Sequence, residues 1–152
     1  MSELEMALRR LVDELEVDRE RMEMAKCRQA AVFKGETPDK WPCVLGSALT
    51  AEQEAALPIF NLHETFYEVD KALSNQLRVV MGILNGGSDA LPSVRVNFGT
   101  GILLSCVGLE QDTFPDKMPW LKEHLSKEQI AKLDKDDLRP AGSFARGLEW
   151  MA

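Results

Sequence analysis

The hydrophobic positions of residues 2–33 recur at intervals of three and four, which predicts one long amphipathic helix. Ser2 and Glu5 form a capping-box pattern at its start, and Gly35 is a suitable C-cap. Asp18 interrupts the apolar stripe. The stripe favours packing within the chain, although its steps also fit the heptads of a dimer seam. Its members are Leu4, Leu8, Leu11, Leu15, Met22 and Ala25.

The same periodicity predicts a second strong helix over residues 62–84, which the pair Gly86-Gly87 should end. Shorter helical segments are predicted as well, most of them behind a capping residue. A charged linker is predicted at residues 134–137. The shorter helices cover residues 50–57, 102–108, 126–133 and 143–152.

Two segments have the pattern of β-strands. Residues 41–46 form a short apolar run between turn residues, and residues 91–98 alternate apolar and polar side chains. Helices that alternate with strands indicate an α/β fold with about two parallel strands. A parallel sheet of only two strands leaves edges and faces uncovered, so further structure should complete it.

The composition limits the classes of function. The chain has 152 residues, of which 45% are hydrophobic and 28% charged, which is typical of one soluble domain. Its net charge of −7 disfavours a nucleic-acid partner. No signal peptide begins the sequence and no apolar run is long enough to span a membrane. We therefore expect a cytoplasmic protein without nucleic-acid or membrane partners.

Cysteines and histidines suggest no metal site. Cys27, Cys43 and Cys106 are widely spaced and predict three reduced thiols. His63 and His124 are far apart in sequence and belong to no ligand pattern, so we expect surface or capping roles for both. No catalytic pair or nucleophile motif is evident, and catalytic residues stay unknown.

The candidate binding residues lie around the second predicted strand. Arg95 and Asn97 share one side of that strand, either inside a barrel or on a solvated face. Gly99-Thr100-Gly101 follows it, where a dinucleotide fingerprint would stand, but the third glycine position holds Leu104. The glycines favour a tight turn, whose free N–H groups could also hold a carboxylate or phosphate.

Three segments in order resemble the uroporphyrinogen decarboxylase superfamily. Residues 94–108 are similar to the second barrel strand of that family and the turn that follows it. Residues 33–42 resemble the segment that leads into the first barrel strand of the family. Residues 114–133 resemble the loop and helix that precede its third strand. The resemblance covers roughly residues 25–152 and implies an incomplete (β/α) barrel. It divides the chain into a long helix at 1–35 and a barrel portion at 36–152.

The departures from the family argue against uroporphyrinogen decarboxylation. The position of the substrate-binding aspartate of the decarboxylase aligns with Gly99, and no arginine stands near residues 45–50, where the family has an Arg-Gln-Ala-Gly-Arg motif. Arg28-Gln29-Ala30 looks similar but precedes the first strand, so we treat it as a coincidence. The resemblance thus points to the corrinoid or thiol methyltransferase relatives.

The resulting expectation is an N-terminal or split part of such an enzyme, inactive alone, with Arg95, Asn97, Gly99 and Thr100 contributing to a small-molecule site. The resemblance implies no cofactor in this chain, and corrinoid or zinc only in a complete parent enzyme. The alternative is a stand-alone module without catalysis that binds or assembles. Either way the partner is a second copy or a complementary barrel half.

Overall fold

A computed structural model describes residues 2–134 and 138–152, in which helices predominate and strands are short. Strands β1 (Gln111–Asp112) and β2 (Trp120–Leu121) form an antiparallel pair. A 3₁₀ helix covers Ile102–Val107. The α-helices are α1 (Glu3–Asp13), α2 (Arg19–Phe33), α3 (Ala51–Ala56), α4 (Leu62–Tyr67), α5 (Val69–Gly86), α6 (Lys127–Ala131) and α7 (Gly142–Met151).

The chain divides into two compact units. Unit 1 consists of Met1–Ile59 and Leu73–Arg95, and unit 2 of Phe60–Ala72 and Val96–Ala152. The boundary between them falls inside α5, after its first four residues. The sequence-based division at residue 35 concerns the family resemblance and stays a prediction.

The single helix predicted over residues 2–33 is wrong, because α1 and α2 are separate helices. Ser2 caps the start of α1, as predicted, through a 3.0 Å hydrogen bond from the N–H of Glu5. Asp18 is the N-cap of α2 and accepts the N–H of Arg21 at 3.0 Å. The residue that interrupts the apolar stripe therefore begins a new helix, because its carboxylate satisfies an N–H that a continuous helix would bond to its own backbone.

The predicted α/β fold, an incomplete (β/α) barrel with about two parallel strands, is also wrong, since β1 and β2 are antiparallel and neither lies in a predicted strand segment. Residues 41–46 and 91–98 contain no strand or bridge. The first segment instead bonds to the turn after α5: Cys43 O accepts the N–H of Asp89 at 2.8 Å, and Leu45 N–H donates to Ser88 Oγ at 3.2 Å. These bonds satisfy main-chain groups that a strand would offer to a neighbour.

The core of unit 1 lies between α1 and α5. Leu8 of α1 is buried with Leu57, Leu77 and Met81, and half-buried leucines surround this cluster. The chain just before α3 crosses α5 closely at Gly82, where a Cβ would lie 2.9 Å from the carbonyl oxygen of Ser47. Glycine at this position therefore permits the main-chain approach that covers α5.

An ionic network fixes α2 to the rest of unit 1. The Arg28 guanidinium donates to Asp89 Oδ1 at 2.8 Å and to both carboxylate oxygens of Asp39 at 3.0 and 2.9 Å. The buried Asp89 carboxylate also accepts the N–H of Cys43 at 3.0 Å. That N–H first, and then the guanidinium, hold the pKa of Asp89 below its ordinary value of 3.8. Arg28 belongs to the Arg28-Gln29-Ala30 sequence, whose similarity to the family motif we treated as a coincidence. In the structure its guanidinium has a structural role.

The core of unit 2 is aromatic. Phe98 is 1% exposed, and its ring centroid lies 4.9 Å from those of Phe66 and Trp150. The 3₁₀ helix packs against α7 through Ser105, whose hydroxyl accepts the N–H of Phe144 at 3.1 Å. The last residues of the chain therefore pack against the buried end of the segment 91–98.

The remaining helix predictions are mostly confirmed. The helices predicted at 50–57, 102–108, 126–133 and 143–152 correspond to α3, the 3₁₀ helix, α6 and α7. The helix predicted over 62–84 is two helices, because Glu68 between α4 and α5 has an extended conformation. Residues 135–137 of the predicted charged linker lie outside the described residues.

Candidate functional site

Unit 1 carries an open apolar groove of about 610 Å³. It runs between the end of α1, the first part of α5 and the extended residues 92–94. Three of its valines are prominently exposed: Val12 at 48%, Val17 at 41% and Val94 at 55%. We call this surface the unit 1 groove. Its lining residues are Val12, Leu15, Val17, Leu73, Leu77, Val80, Pro92, Ser93 and Val94.

Charged residues of both signs adjoin the unit 1 groove along the chain. Asp13, Glu14 and Glu16 alternate with its lining residues, and Arg95 follows Val94 directly. All of these side chains are exposed, as is Arg19 in a smaller neighbouring recess. No salt bridge to any of the five occurs in the part of the chain that the structure describes.

Unit 2 contains a half-open polar cleft of about 480 Å³. The end of α4, the loop into β1, Lys122 after β2 and the first half of α7 form its walls. We call this site the unit 2 cleft. It is lined by Phe66, Tyr67, Ser105, Gly108, Leu109, Glu110, Gln111, Lys122, Ala141, Gly142, Ser143 and Arg146.

Arg146 is the distinctive cation of the cleft. Its Nη1 donates to the carbonyl oxygen of Phe66 at 2.9 Å, which fixes the guanidinium against α4. Its Cζ lies 5.5 Å from the ring centroid of Phe66, 5.1 Å from that of Tyr67 and 5.7 Å from that of Phe98. Three aromatic rings thus hold the charge by cation–π contacts, while no carboxylate among the described residues pairs with it.

The second cation of the cleft is neutralised by a neighbour. Lys122 Nζ lies 2.6 Å from Glu110 Oε2. The ammonium lowers the pKa of the Glu110 carboxyl, and the carboxylate raises the pKa of Lys122. Because both side chains are largely exposed, the pair adds little to stability, but it leaves Arg146 as the uncompensated charge of the cleft.

A short hydrogen-bond chain connects α4 with the loop between β1 and β2. His63 Nδ1 and Thr113 Oγ1 lie 2.6 Å apart, and Thr113 Oγ1 lies 3.5 Å from the Tyr67 hydroxyl. No local pattern indicated this contact, because the partners are 50 and 46 residues apart in sequence. It attaches the Tyr67 side of the unit 2 cleft to the loop after β1.

The structure does not gather the predicted substrate-binding residues into one pocket. Arg95 ends unit 1, and the other three belong to unit 2. Arg95, Asn97 and Thr100 are exposed, whereas Phe98 between them is buried, so the predicted alternation holds at these positions. None of the four lines the unit 1 groove or the unit 2 cleft. Their role in binding stays a prediction.

The Gly99-Thr100-Gly101 turn has a packing function in the structure. Gly99 adopts a left-handed conformation with φ 73°, and Pro119 lies against it. At Gly101 a Cβ would lie 2.6 Å from Oε1 of Gln111. That oxygen is buried and has no hydrogen-bond partner among the described residues. The glycines therefore make room for the Gln111 side chain, as expected of a tight turn.

Sequence reasoning missed the residues of the cleft. Arg146, Ser143 and Gln111 stand in no motif, and the last two are joined by a 3.4 Å contact between Gln111 Nε2 and Ser143 Oγ across 32 residues. The one available signal was a lone arginine in the helix predicted from Ser143, which carries little information. Only tertiary packing shows that this arginine reaches the aromatic side chains of α4.

The described residues show neither a metal cluster nor a helix suited to a membrane. No three His, Cys, Asp or Glu side chains among residues 2–134 and 138–152 are grouped to hold a metal ion. Within the same ranges, no helix combines the length and the apolar character that crossing a bilayer requires. All three cysteines are free thiols.

Comparisons with known proteins add no family to these observations. The chain matches no family model, no curated protein and no solved structure. The resemblance to the uroporphyrinogen decarboxylase superfamily therefore depends on the residues quoted above and stays a prediction.

Proposed function

We propose that the chain is a self-associating module in which the unit 1 groove of one copy is covered by the same surface of a second copy. The observation that carries the proposal is the groove itself, whose lining is apolar apart from Ser93 and three of whose valines are about half exposed. Contiguous apolar surface of this kind marks interaction sites in folded proteins. A cytoplasmic location belongs to this proposal, and free cysteines are compatible with it.

A second copy suits this surface because the surface carries both a recess and exposed apolar side chains, and charges of both signs adjoin it. The groove offers a recess over Leu77 and, at its borders, apolar side chains such as Val12 and Val94 that can fill a recess. In a two-fold interface each patch meets itself, so the acidic run near Glu14 on one copy can face Arg95 on the other. Pairing of opposite charges at the border would set the orientation of the copies.

The apolar contribution is limited, so we expect moderate affinity. Complete burial of a valine contributes about 1.5–3 kcal/mol, and three valines that are about half exposed gain roughly half of that each. The total of about 2–4.5 kcal/mol has to offset the loss of translational and rotational freedom. The leucines of the groove and the border charges must contribute the rest, which points to dissociation constants in the micromolar range.

Sedimentation velocity tests the proposal. We expect the 17.0 kDa chain to reach twice that mass as its concentration rises through the micromolar range. Val94→Asp places an uncompensated charge in the interface and should weaken association at least about tenfold. Leu103→Asp is the matched control, because Leu103 is 65% exposed and lies in unit 2, outside the groove.

Two results would reject the association. One is a chain that stays monomeric at every concentration up to roughly a hundred micromolar, where even weak specific interfaces form. The other is a dimer that Val94→Asp and Leu103→Asp weaken equally. Circular dichroism of each variant shows whether it keeps the helical content of the parent chain.

A second candidate function follows from the sequence resemblance. The chain would contribute Arg95, Asn97, Gly99 and Thr100 to an enzyme related to the uroporphyrinogen decarboxylase superfamily, of the methyltransferase type. The exposure of the Arg95, Asn97 and Thr100 side chains supports this candidate, since they are available to a partner or ligand. The intact mass of the protein in its native host distinguishes the candidates. A species much heavier than 17.0 kDa that loses turnover with Arg95→Ala supports the enzyme, and unchanged turnover rejects it.

A further inference from the structure

The guanidinium of Arg146 in the unit 2 cleft is held in place before any ligand arrives. Its hydrogen bond to Phe66 O uses Nη1 alone, and the three rings around it restrict its remaining motion. The remaining donors, on Nη2 and Nε, have no partner among the described residues. An arginine fixed in this way offers a planar set of N–H donors at a low cost in side-chain entropy.

The surroundings of Arg146 combine polar and apolar groups. The Ser143 hydroxyl lies one helical turn before it on α7, and the Tyr67 ring, which is 49% exposed, lies beside it. Glu110 does not compete for the guanidinium, because its carboxylate pairs with Lys122. The cleft volume of about 480 Å³ is within the range of small-molecule sites in proteins.

We propose that the unit 2 cleft binds a small organic carboxylate, with the carboxylate on Arg146 and the apolar part of the molecule against Tyr67. Carboxylates match the arginine fork through two parallel charge-assisted hydrogen bonds, which are among the strongest pairings open to a guanidinium. The exposed tyrosine ring distinguishes an organic acid from a bare inorganic anion, because it offers a surface on which an apolar group can stack. This site is independent of the unit 1 groove and of the proposed association.

A matched pair of probes tests the charge recognition without altering the protein. Benzoate and benzamide have the same ring and nearly the same shape, but only benzoate carries a charge. Titration calorimetry of the full chain should show that benzoate binds at least about tenfold more tightly, as expected for charge-assisted hydrogen bonds. Equal affinity of the two probes, or no binding of benzoate up to about 10 mM, would overturn the proposal.

Variants and a third probe locate the site and define the ligand class. Arg146→Gln should reduce benzoate affinity to that of benzamide, and Arg146→Lys should retain part of it because the charge remains without the fork. Arg10→Gln, an exposed arginine of unit 1, is the control and should leave binding unchanged. If circular dichroism shows that Arg146→Gln does not fold, the affinities of Arg146→Lys and of the benzoate and benzamide pair test whether Arg146 binds the carboxylate. Inorganic phosphate that binds more tightly than benzoate would refute the organic carboxylate.

Discussion

Gly101→Ala examines whether the Gly99-Thr100-Gly101 turn serves packing. The backbone at Gly101 has φ −83° and ψ 2°, which alanine adopts without strain. The added methyl group would lie 2.6 Å from Gln111 Oε1, 2.8 Å from Gln111 Cδ and 3.0 Å from Leu121 Cδ2. The cost of the substitution therefore comes from contacts with these two side chains.

The expected change in the free energy of unfolding depends on the side chains that the added methyl group displaces. Overpacking of a closely packed site costs about 1–3 kcal/mol, and a displaced Gln111 also gives up its contact with Ser143. Relative to glycine, alanine lowers the conformational entropy of the unfolded chain, which stabilises the folded state by about 0.4–1 kcal/mol. We expect Gly101→Ala to lower the free energy of unfolding by about 1–2 kcal/mol. Gln111→Ala removes the obstructing side chain, so in that background the cost should fall below about 0.5 kcal/mol.

Urea unfolding measures this coupling in unit 2. Trp41 is the one tryptophan of unit 1, so Trp41→Phe leaves fluorescence from Trp120 and Trp150 of unit 2 alone. The four chains of the double-mutant cycle are compared in this background. Gly46→Ala is the control, because its Cβ would approach no atom closer than 3.8 Å and stability should change by less than about 0.5 kcal/mol. If Gly101→Ala lowers stability equally in the Gln111 and the Gln111→Ala backgrounds, the packing explanation is refuted.

Two further predictions concern the ionic network of unit 1 and the aromatic core of unit 2. Because folding lowers the pKa of the Asp89 carboxyl below 3.8, its contribution to stability is present above about pH 4 and is lost as the pH falls further. The urea midpoint should thus fall less between about pH 7 and about pH 3 in Asp89→Asn than in the parent chain; an identical fall would contradict this assignment. Phe98→Ala should cost about 3–5 kcal/mol in thermal or urea unfolding, and Phe98→Leu about 1–2 kcal/mol, because leucine keeps most of the buried area but loses the contacts with Phe66 and Trp150. Equal losses for both substitutions would contradict the contribution assigned to buried area, and an unchanged stability in Phe98→Leu would contradict the contribution assigned to the ring contacts.

The helix starts marked by a capping residue were the most predictable part of the fold. Ser2, Thr50 and Ser126 cap the helices that their sequence patterns indicated, each by a hydrogen bond to the N–H three residues later. Such caps depend on groups within one turn of the chain, so local sequence is sufficient to identify them. The break at Asp18 was visible for the same reason, but an interruption of the stripe was not recognised as an N-cap.

The predicted strands show the limit of periodicity. In residues 94–98, Phe98 is buried whereas Asn97 is exposed, as the alternation requires, but Val94 on the predicted apolar side is 55% exposed and no neighbouring strand is present. Alternation reports that one side of an extended segment is buried, and it does not report what buries it. The parallel sheet was inferred from the alternation of helices and strands, which assumed that each extended segment has a neighbouring strand.

The sequence by itself determined the helical segments, their caps and the places where glycine ends a helix, because these depend on interactions within a few residues. Only the tertiary structure decided that the extended segment 41–46 bonds to the turn after α5, that Arg28 pairs with the distant Asp89, and that the guanidinium of Arg146 lies among Phe66, Tyr67 and Phe98. The partners in these contacts are more than 30 residues apart, and each contact forms when two segments pack and both lose water. No local pattern records which segments meet, so the groove and the cleft become visible only in the folded chain.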